Sequence, residues 1–196
     1  MRPLWQYLQN YLQPNHALTQ QVGFFPAQAA VMMLFTDTAN SELIFTLRAQ
    51  HLKNHPGEVA FPGGMWEAED KTLLDTALRE SHEEIGLPPA AVKVLGACKP
   101  RATRAGVRVT PFVGVIHPDV ELTPSPDELD AVFRVPLSAF RSGIQTRTDV
   151  FSFAGKSWRI PAYHHQGYEI WGFTAALTNE IITAVLNATD ETLPIE

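Results

Sequence analysis

The chain has 196 residues and a formal net charge of −6, with 21 acidic against 15 basic side chains. That length suits one domain with a substantial core, and the apolar and charged fractions are those of a soluble globular protein. The acidic balance argues against non-specific nucleic-acid binding, which needs a basic surface, and the single cysteine, Cys98, excludes an intrachain disulfide and a cysteine-based zinc site.

No basic-then-apolar leader opens the chain, and no apolar run approaches ~20 residues, so a cytoplasmic protein without a membrane partner is expected. Leu4, Leu8, Tyr11 and Leu12 fall at helical spacing and predict a short amphipathic helix within 1–14. Its aromatics would serve the core or a homodimer contact. Gln28–Thr36 is an apolar run of strand length, Asp37–Asn40 is a turn, and Glu42–Arg48 is a partner strand; together they predict a β-hairpin. His51 and His55 are spaced as a zinc pair would be on a helix. Pro56 and Gly57 argue for a loop instead.

Residues 57–87 carry the densest signal. The pair Phe61-Pro62 is followed by Gly63-Gly64, which lets a backbone turn sharply and approach a ligand closely. Leu74, Ala77, Leu78, Ser81 and Ile85 then repeat at three- and four-residue steps, as on the core face of a helix. Gly86 ends that helix, and Pro88 and Pro89 keep it from resuming. Glu80 shares a face with Glu83 and Glu84. Like charges so placed repel, and a hard divalent cation would reverse the sign of that interaction. Arg79 can brace a glutamate by a bidentate pair.

Further on, Val92–Cys98 and Val107–His117 read as strands. Between them lie Lys99, Arg101, Arg104 and Arg108, either a loop facing substrate phosphates or a solvated hairpin turn. Residues 118–128 are a Pro-rich acidic loop, and Asp130–Pro136 resumes as a strand with Glu128 just before it. Residues 149–153 and 157–163 predict a hairpin, and a helix is expected over 172–187. No internal repeat or low-complexity segment is present.

The 63–87 stretch resembles the box of the Nudix hydrolase family: Gly64, Arg79, Glu80, Glu83, Glu84, Gly86 and Leu87 match its pattern. Asp70 stands where the first glutamate is expected, one extra residue separates Gly64 from Arg79, and Ser81 replaces an apolar position. Asp70, Glu69 and Glu67 are all candidates for the first glutamate's role. Upstream, Leu43, Ala49, Gly57 and Phe61–Gly64 are similar to the signature of the coenzyme A pyrophosphatase subset, with Lys53 at its arginine position. Lys keeps the charge there and loses the planar two-pronged contact. Val135-Pro136-Leu137 and Ile170-Trp171-Gly172 with Thr174-Ala175 are also similar to that subset, and the resemblance spans residues 28–187.

The resemblance implies a single Nudix domain over 1–196, an α/β/α sandwich with a mixed β-sheet. It implies metal-dependent hydrolysis of the diphosphate of coenzyme A or an acyl-coenzyme A, with ADP-ribose, a dinucleotide or a nucleoside triphosphate as the alternative substrate. A non-catalytic ligand-binding module is a third reading. Mg²⁺ or Mn²⁺ would be held by Glu80, Glu83, Glu84 and the carbonyl of Gly63 or Gly64. Arg79 would orient these ligands, and Glu80, Glu84 or Glu128 would act as base. Arg48, Lys53, Phe61, Gly63, Gly64, Arg101 and Arg104 would meet substrate.

Overall fold

The computed structural model describes residues 8, 11, 12, 27–153 and 156–190. Most of the predicted 1–14 helix therefore lies outside the described residues. Within it, Leu8 and Leu12 are buried in the core, and Leu12 N donates to Leu8 O at 3.0 Å, an i to i−4 helical bond.

Two strands form the middle of the main sheet. β1 (Gln28–Thr36) and β7 (Arg108–Ile116) run parallel, in register from Gln28↔Arg108 to Thr36↔Ile116. Both are buried along almost their whole length, because the sheet is covered on both faces. Alternate residues of β1 serve different layers. Ala30, Met32 and Leu34 share a core cluster with Leu73, Ala77 and Ile85 of α1 (Leu73–Ile85). Met33 and Phe35 share the other with Ala175, Ile181, Ile182 and Val185 of α3 (Gly172–Asp190). The result is the expected α/β/α sandwich around a mixed sheet.

The remaining strands splay from this pair. β2 (Glu42–Arg48) meets β1 at only one register pair, Phe35↔Leu43. The predicted hairpin thus exists at its turn and no further. Along its whole length β2 pairs with β8 (Leu129–Pro136), while β3 (Val59–Ala60) takes its other edge at Thr46 and Leu47. β4 (Gly63–Met65) takes the edge of β1 from Ala29 to Val31. β5 (Lys93–Ala97) and β6 (Arg101–Ala102) pair with β7. A short helix α2 (Leu137–Arg141) follows β8. β9 (Gln145–Phe153), β10 (Lys156–His165) and β11 (Tyr168–Ile170) form a separate antiparallel sheet in the order β11-β10-β9. The predicted 149–153 and 157–163 hairpin is thus longer than expected, and β11 adds a third strand. The last helix runs three residues past its predicted end at 187, to Asp190. No helix among the described residues is long and apolar enough to cross a membrane.

Helix α1 starts and stops where local chemistry says it should. Thr72 caps it, accepting from Asp75 N at 3.1 Å and donating to the Asp75 carboxylate at 2.9 Å. Gly86, at φ 67°, closes it with a paired set of bonds: Gly86 N to His82 O and Leu87 N to Ser81 O. Its buried residues are Leu73, Thr76, Ala77, Ser81, Glu84 and Ile85. The buried stripe therefore includes Glu84, one of the carboxylates, and leaves Leu74 and Leu78 half-buried at its margin.

Candidate active site

Arg79 organises one end of the site. Its Nε and Nη2 donate to the two oxygens of Asp70, both at 3.0 Å. Nη1 donates to Glu80 Oε1 and Glu83 Oε2, each at 3.0 Å, and Nη2 reaches the carbonyl of Met65 in β4 at 3.2 Å. The planar fork can serve so many acceptors because its donors point in fixed directions. Of the three candidates for the first box glutamate, Asp70 is the one on Arg79. A turn brings it there: Asp70 N donates to Glu67 O, Glu67 N donates back to Asp70 Oδ2, and Trp66 Nε1 holds the Asp70 carbonyl. Thr76 adds its hydroxyl at 2.9 Å. The bidentate bond from Arg79, with these other donors, holds the buried Asp70 carboxyl below the usual carboxylate range.

Glu80 and Glu84 stand in the opposite condition. Burial pushes both carboxyls up, Glu84 to about 8. Glu84 is 4% exposed, and one backbone donor, Gly63 N at 3.0 Å, faces it. That bond and the charge of Arg48 pull it down, while the charges of Glu80 and Glu128 push it up. The Glu80 carboxylate is pressed on the backbone of Gly64, where a Cβ would come within 2.4 Å of its Cδ. Gly63 sits at φ 150°, and a Cβ there would come within 2.3 Å of Ala30 O. Both glycines are thus required by close approach, one to the carboxylate and one to β1.

Arg48 and Glu128 arrive from the other side. Arg48 ends β2 at a bulge opposite Leu129, and its Nε is buried with no hydrogen-bond partner among the described residues. Glu128 is exposed at the start of β8. Its N donates to Ser125 O, and its carbonyl accepts from Ala49 N. The 117–128 loop is in turn tied to the end of α1, through Ser125 N to Glu84 O at 2.8 Å and Thr123 N to Ile85 O at 2.9 Å. So the structure brings Arg48, Gly63, Gly64, Arg79, Glu80, Glu83, Glu84 and Glu128 together.

Other predicted residues lie apart. Phe61 is 4% exposed, with its ring stacked on Phe45 at 4.9 Å. It lines a cavity of about 210 Å³ on the α3 side of the sheet, together with Gly63, Gly64, Met65, Val109 and Phe173. Lys53 is exposed on the loop between β2 and β3. Arg101 pairs with Glu180 of α3, Nε to Oε2 at 2.7 Å, across the sheet from α1. It lines an open groove of about 590 Å³ between α3 and β10 that includes none of the α1 carboxylates. Arg104 is exposed in the tight turn joining β6 to β7, where Thr103 N donates to Val107 O. The cationic stretch is therefore folded locally as a hairpin turn. His51 turns to the carbonyl of Asp127 and His55 to Glu58, so the two do not converge on one ion.

A hard divalent cation fits the donor set, which is all carboxylate oxygen beside a backbone that can come close. Burial has already raised the cost of charge on Glu80 and Glu84, and one hydrogen bond does not offset it for Glu84. Among the described residues no group of three acidic or imidazole side chains is already gathered as a cage. The reason is visible: Glu80 and Glu83 are turned to Arg79, and Glu84 to Gly63. Each of those bonds engages one oxygen of its carboxylate, so cation binding requires these side chains to turn their second oxygens toward one another.

A sequence model of the NUDIX domain matches residues 26–152. The fold and this acidic helix are those of a Nudix hydrolase, and the chain belongs to that family, whose members generally use divalent metal ions. It is similar to the uncharacterized Nudix hydrolase NudL of Klebsiella pneumoniae, 40% identical over 171 residues, covering 86% of this chain and 85% of that one. It is 39% identical over 155 residues to the NudL of Enterobacter sp., covering 79% and 80%. A Nudix hydrolase of M. smegmatis, RenU, shares the fold at a TM-score of 0.54 and 17% identity, over 89% of this chain and 91% of that one.

Proposed function

We propose that this chain hydrolyses the diphosphate bond of coenzyme A or an acyl-coenzyme A, giving 3′,5′-ADP and (acyl-)4′-phosphopantetheine. The observation that carries the hydrolytic part is the half-buried Glu80 and the buried Glu84 set against the Gly63–Gly64 backbone. The coenzyme A part rests on the residues from Leu43 to Gly64 that are similar to that subset's signature.

In this reading Glu80, Glu83, Glu84 and the Gly64 carbonyl hold Mg²⁺ or Mn²⁺. The ion, when bound, offsets negative charge on the diphosphate and makes water a better nucleophile. Arg79, fixed by Asp70, keeps Glu80 and Glu83 on one side of α1. Arg48, with its buried unpaired Nε, faces a phosphate oxygen. Glu128, whose carboxylate has no hydrogen bond among the described residues, takes the proton from the attacking water. The turn at Gly63–Gly64 lets the chain's own backbone lie against β1 and the Glu80 carboxylate without a side chain in the way. A second reading keeps this chemistry and changes the substrate to ADP-ribose or another nucleoside diphosphate derivative. Lys53 keeps the charge of the signature's arginine and so favours coenzyme A, but it lacks the planar two-pronged contact to phosphate.

The test is product analysis by mass spectrometry with coenzyme A in ¹⁸O-labelled water, with and without Mg²⁺, beside ADP-ribose and a dinucleotide. The proposal expects Mg²⁺-dependent 3′,5′-ADP and 4′-phosphopantetheine, one of them labelled, and coenzyme A as the fastest substrate. Faster turnover of ADP-ribose would move the assignment to the second reading. Cleavage outside the diphosphate would remove both.

A further inference from the structure

The small sheet ends in an open edge. β9 pairs with β10 from Phe153 to Gln145, and no strand among the described residues pairs with its other side. Gln145 to Thr148, Val150 and Ser152 are exposed, Val150 by 60%. β11 covers only Tyr163 to His165 of β10, so most of the β9–β10 ribbon is two strands wide. Isolated two-stranded ribbons are marginal, and an unpaired edge is a template for another strand.

Two features of this edge say which strand it fits. The first is backbone parity. Thr148 lies opposite Pro161. Proline has no N–H, so this cannot be a pair that exchanges both hydrogen bonds. The N–H and C=O of Thr148 therefore point away from β10, and with a period of two so do those of Val150 and Ser152, whereas Thr146 is the extra residue of a bulge between Arg147 and Gln145. The second is charge. Arg147 and Asp149 lie symmetrically about Thr148. Antiparallel pairing of two copies about Thr148 puts Arg147 of each opposite Asp149 of the other, and Thr146 opposite Val150. Centring on Arg147 or Asp149 instead would face like charges and mismatch the backbone groups. Centring on Val150 would set Asp149 opposite Phe151. Arg147 is already ordered on this face by Asp149 (Nε to Oδ1, 2.8 Å) and by Glu169, so little side-chain freedom is lost on pairing.

We propose that the chain forms a symmetric dimer by antiparallel pairing of β9 with β9 of a second copy, centred on Thr148. The pair 148/148 exchanges backbone bonds, Val150 of each copy faces the bulged Thr146 of the other, and the two three-stranded sheets become one of six. Opposite charges across the pairing stabilise it, and the same charges disfavour slipped registers. The interface is small, so a dissociation constant on the order of 1–100 µM is expected.

Sedimentation velocity of the full chain over a micromolar-to-submillimolar series reads the association. Thr148→Pro removes an edge N–H without touching the β9–β10 ladder. Val150→Lys adds a charge facing Thr146. Both should weaken the dimer at least about tenfold, roughly 1.4 kcal/mol, with circular dichroism unchanged. Thr148→Cys should cross-link to itself on mild oxidation, since facing Cα atoms of such a pair lie within disulfide reach. Ser152→Cys, which would face Ile144, should not. A chain that stays monomeric throughout and shows no cross-link through position 148 overturns the proposal. So does a dimer that Thr148→Pro, if folded, and Val150→Lys both leave intact.

Discussion

Asp70→Asn probes the bond network that holds the site in shape. The Asp70 carboxylate accepts four hydrogen bonds: Oδ1 from Arg79 Nε, and Oδ2 from Arg79 Nη2, Thr76 Oγ1 and Glu67 N. An amide has one acceptor oxygen, so its NH₂ must face a donor in either orientation. The less costly orientation turns NH₂ toward Arg79 Nε and loses that charge-assisted bond. A hydrogen bond to a charged group contributes about 1.5–3 kcal/mol. Arg79 keeps Glu80, Glu83 and the Met65 carbonyl, and its side chain is 23% exposed, so water offsets part of the loss. We expect a destabilisation of about 2 kcal/mol, or a Tm lower by about 4–8 °C for a chain of this size. Turnover should fall about 10- to 100-fold, because Arg79 then holds Glu80 and Glu83 less firmly, equivalent to about 1.4–2.7 kcal/mol. Calorimetry and steady-state kinetics on the same preparation measure both. A variant with parental Tm and parental turnover would show that Asp70 does not organise the site through Arg79.

Glu83→Gln separates chemistry from folding: the side chain is 55% exposed, so Tm should move by no more than about 2 °C, while turnover falls by about 10³-fold or more. Turnover within tenfold of the parent would remove Glu83 from the site. The two glycines should behave differently. In Gly64→Ala the new methyl meets the flexible end of Glu80, so activity falls while stability changes by about 1 kcal/mol or less. In Gly63→Ala it meets Ala30 O and Val31 Cα, backbone that cannot move aside, and the cost is about 3 kcal/mol or more. Equal stabilities in urea titrations would contradict that distinction. Asp70 also predicts an acid limb. Its folded value is depressed, so its contribution is present above the unfolded value of about 3.9 and is lost as pH falls below it. The stability gap between parent and Asp70→Asn should therefore shrink as pH drops below about 4, and a gap that grows in acid would contradict the pairing.

Much of this arrangement could be read from short-range pattern. The bounds of β1 and β2 follow from apolar runs and turn residues, and the end of α1 follows from Gly86. Pairing could not be read in the same way. Nothing local says that β1 runs parallel to β7, or that β2 meets β1 at one residue pair only and runs its whole length against β8. Those choices depend on which faces two distant helices cover. β3, β4 and β6 are two or three residues each, too short to show a period, and exist because an edge was open to them. At the site, the α1 carboxylates and the glycine turn were legible from spacing. The choice among Asp70, Glu69 and Glu67 was not, because it is set by a turn within Glu67–Asp70 whose bonds are largely backbone. Arg101 shows the converse. Its cluster suggested phosphate, but its partner Glu180 lies 79 residues away and leaves no local trace.

The most direct measurement is titration of Mn²⁺ into the parent and into Glu84→Gln, followed by isothermal calorimetry and by the electron paramagnetic resonance of free Mn²⁺. Divalent ion gripped by the acidic face of α1 predicts saturable uptake by the parent and at least about a tenfold loss in the variant. Uptake that ignores position 84, or none in either protein at millimolar Mn²⁺, would contradict it.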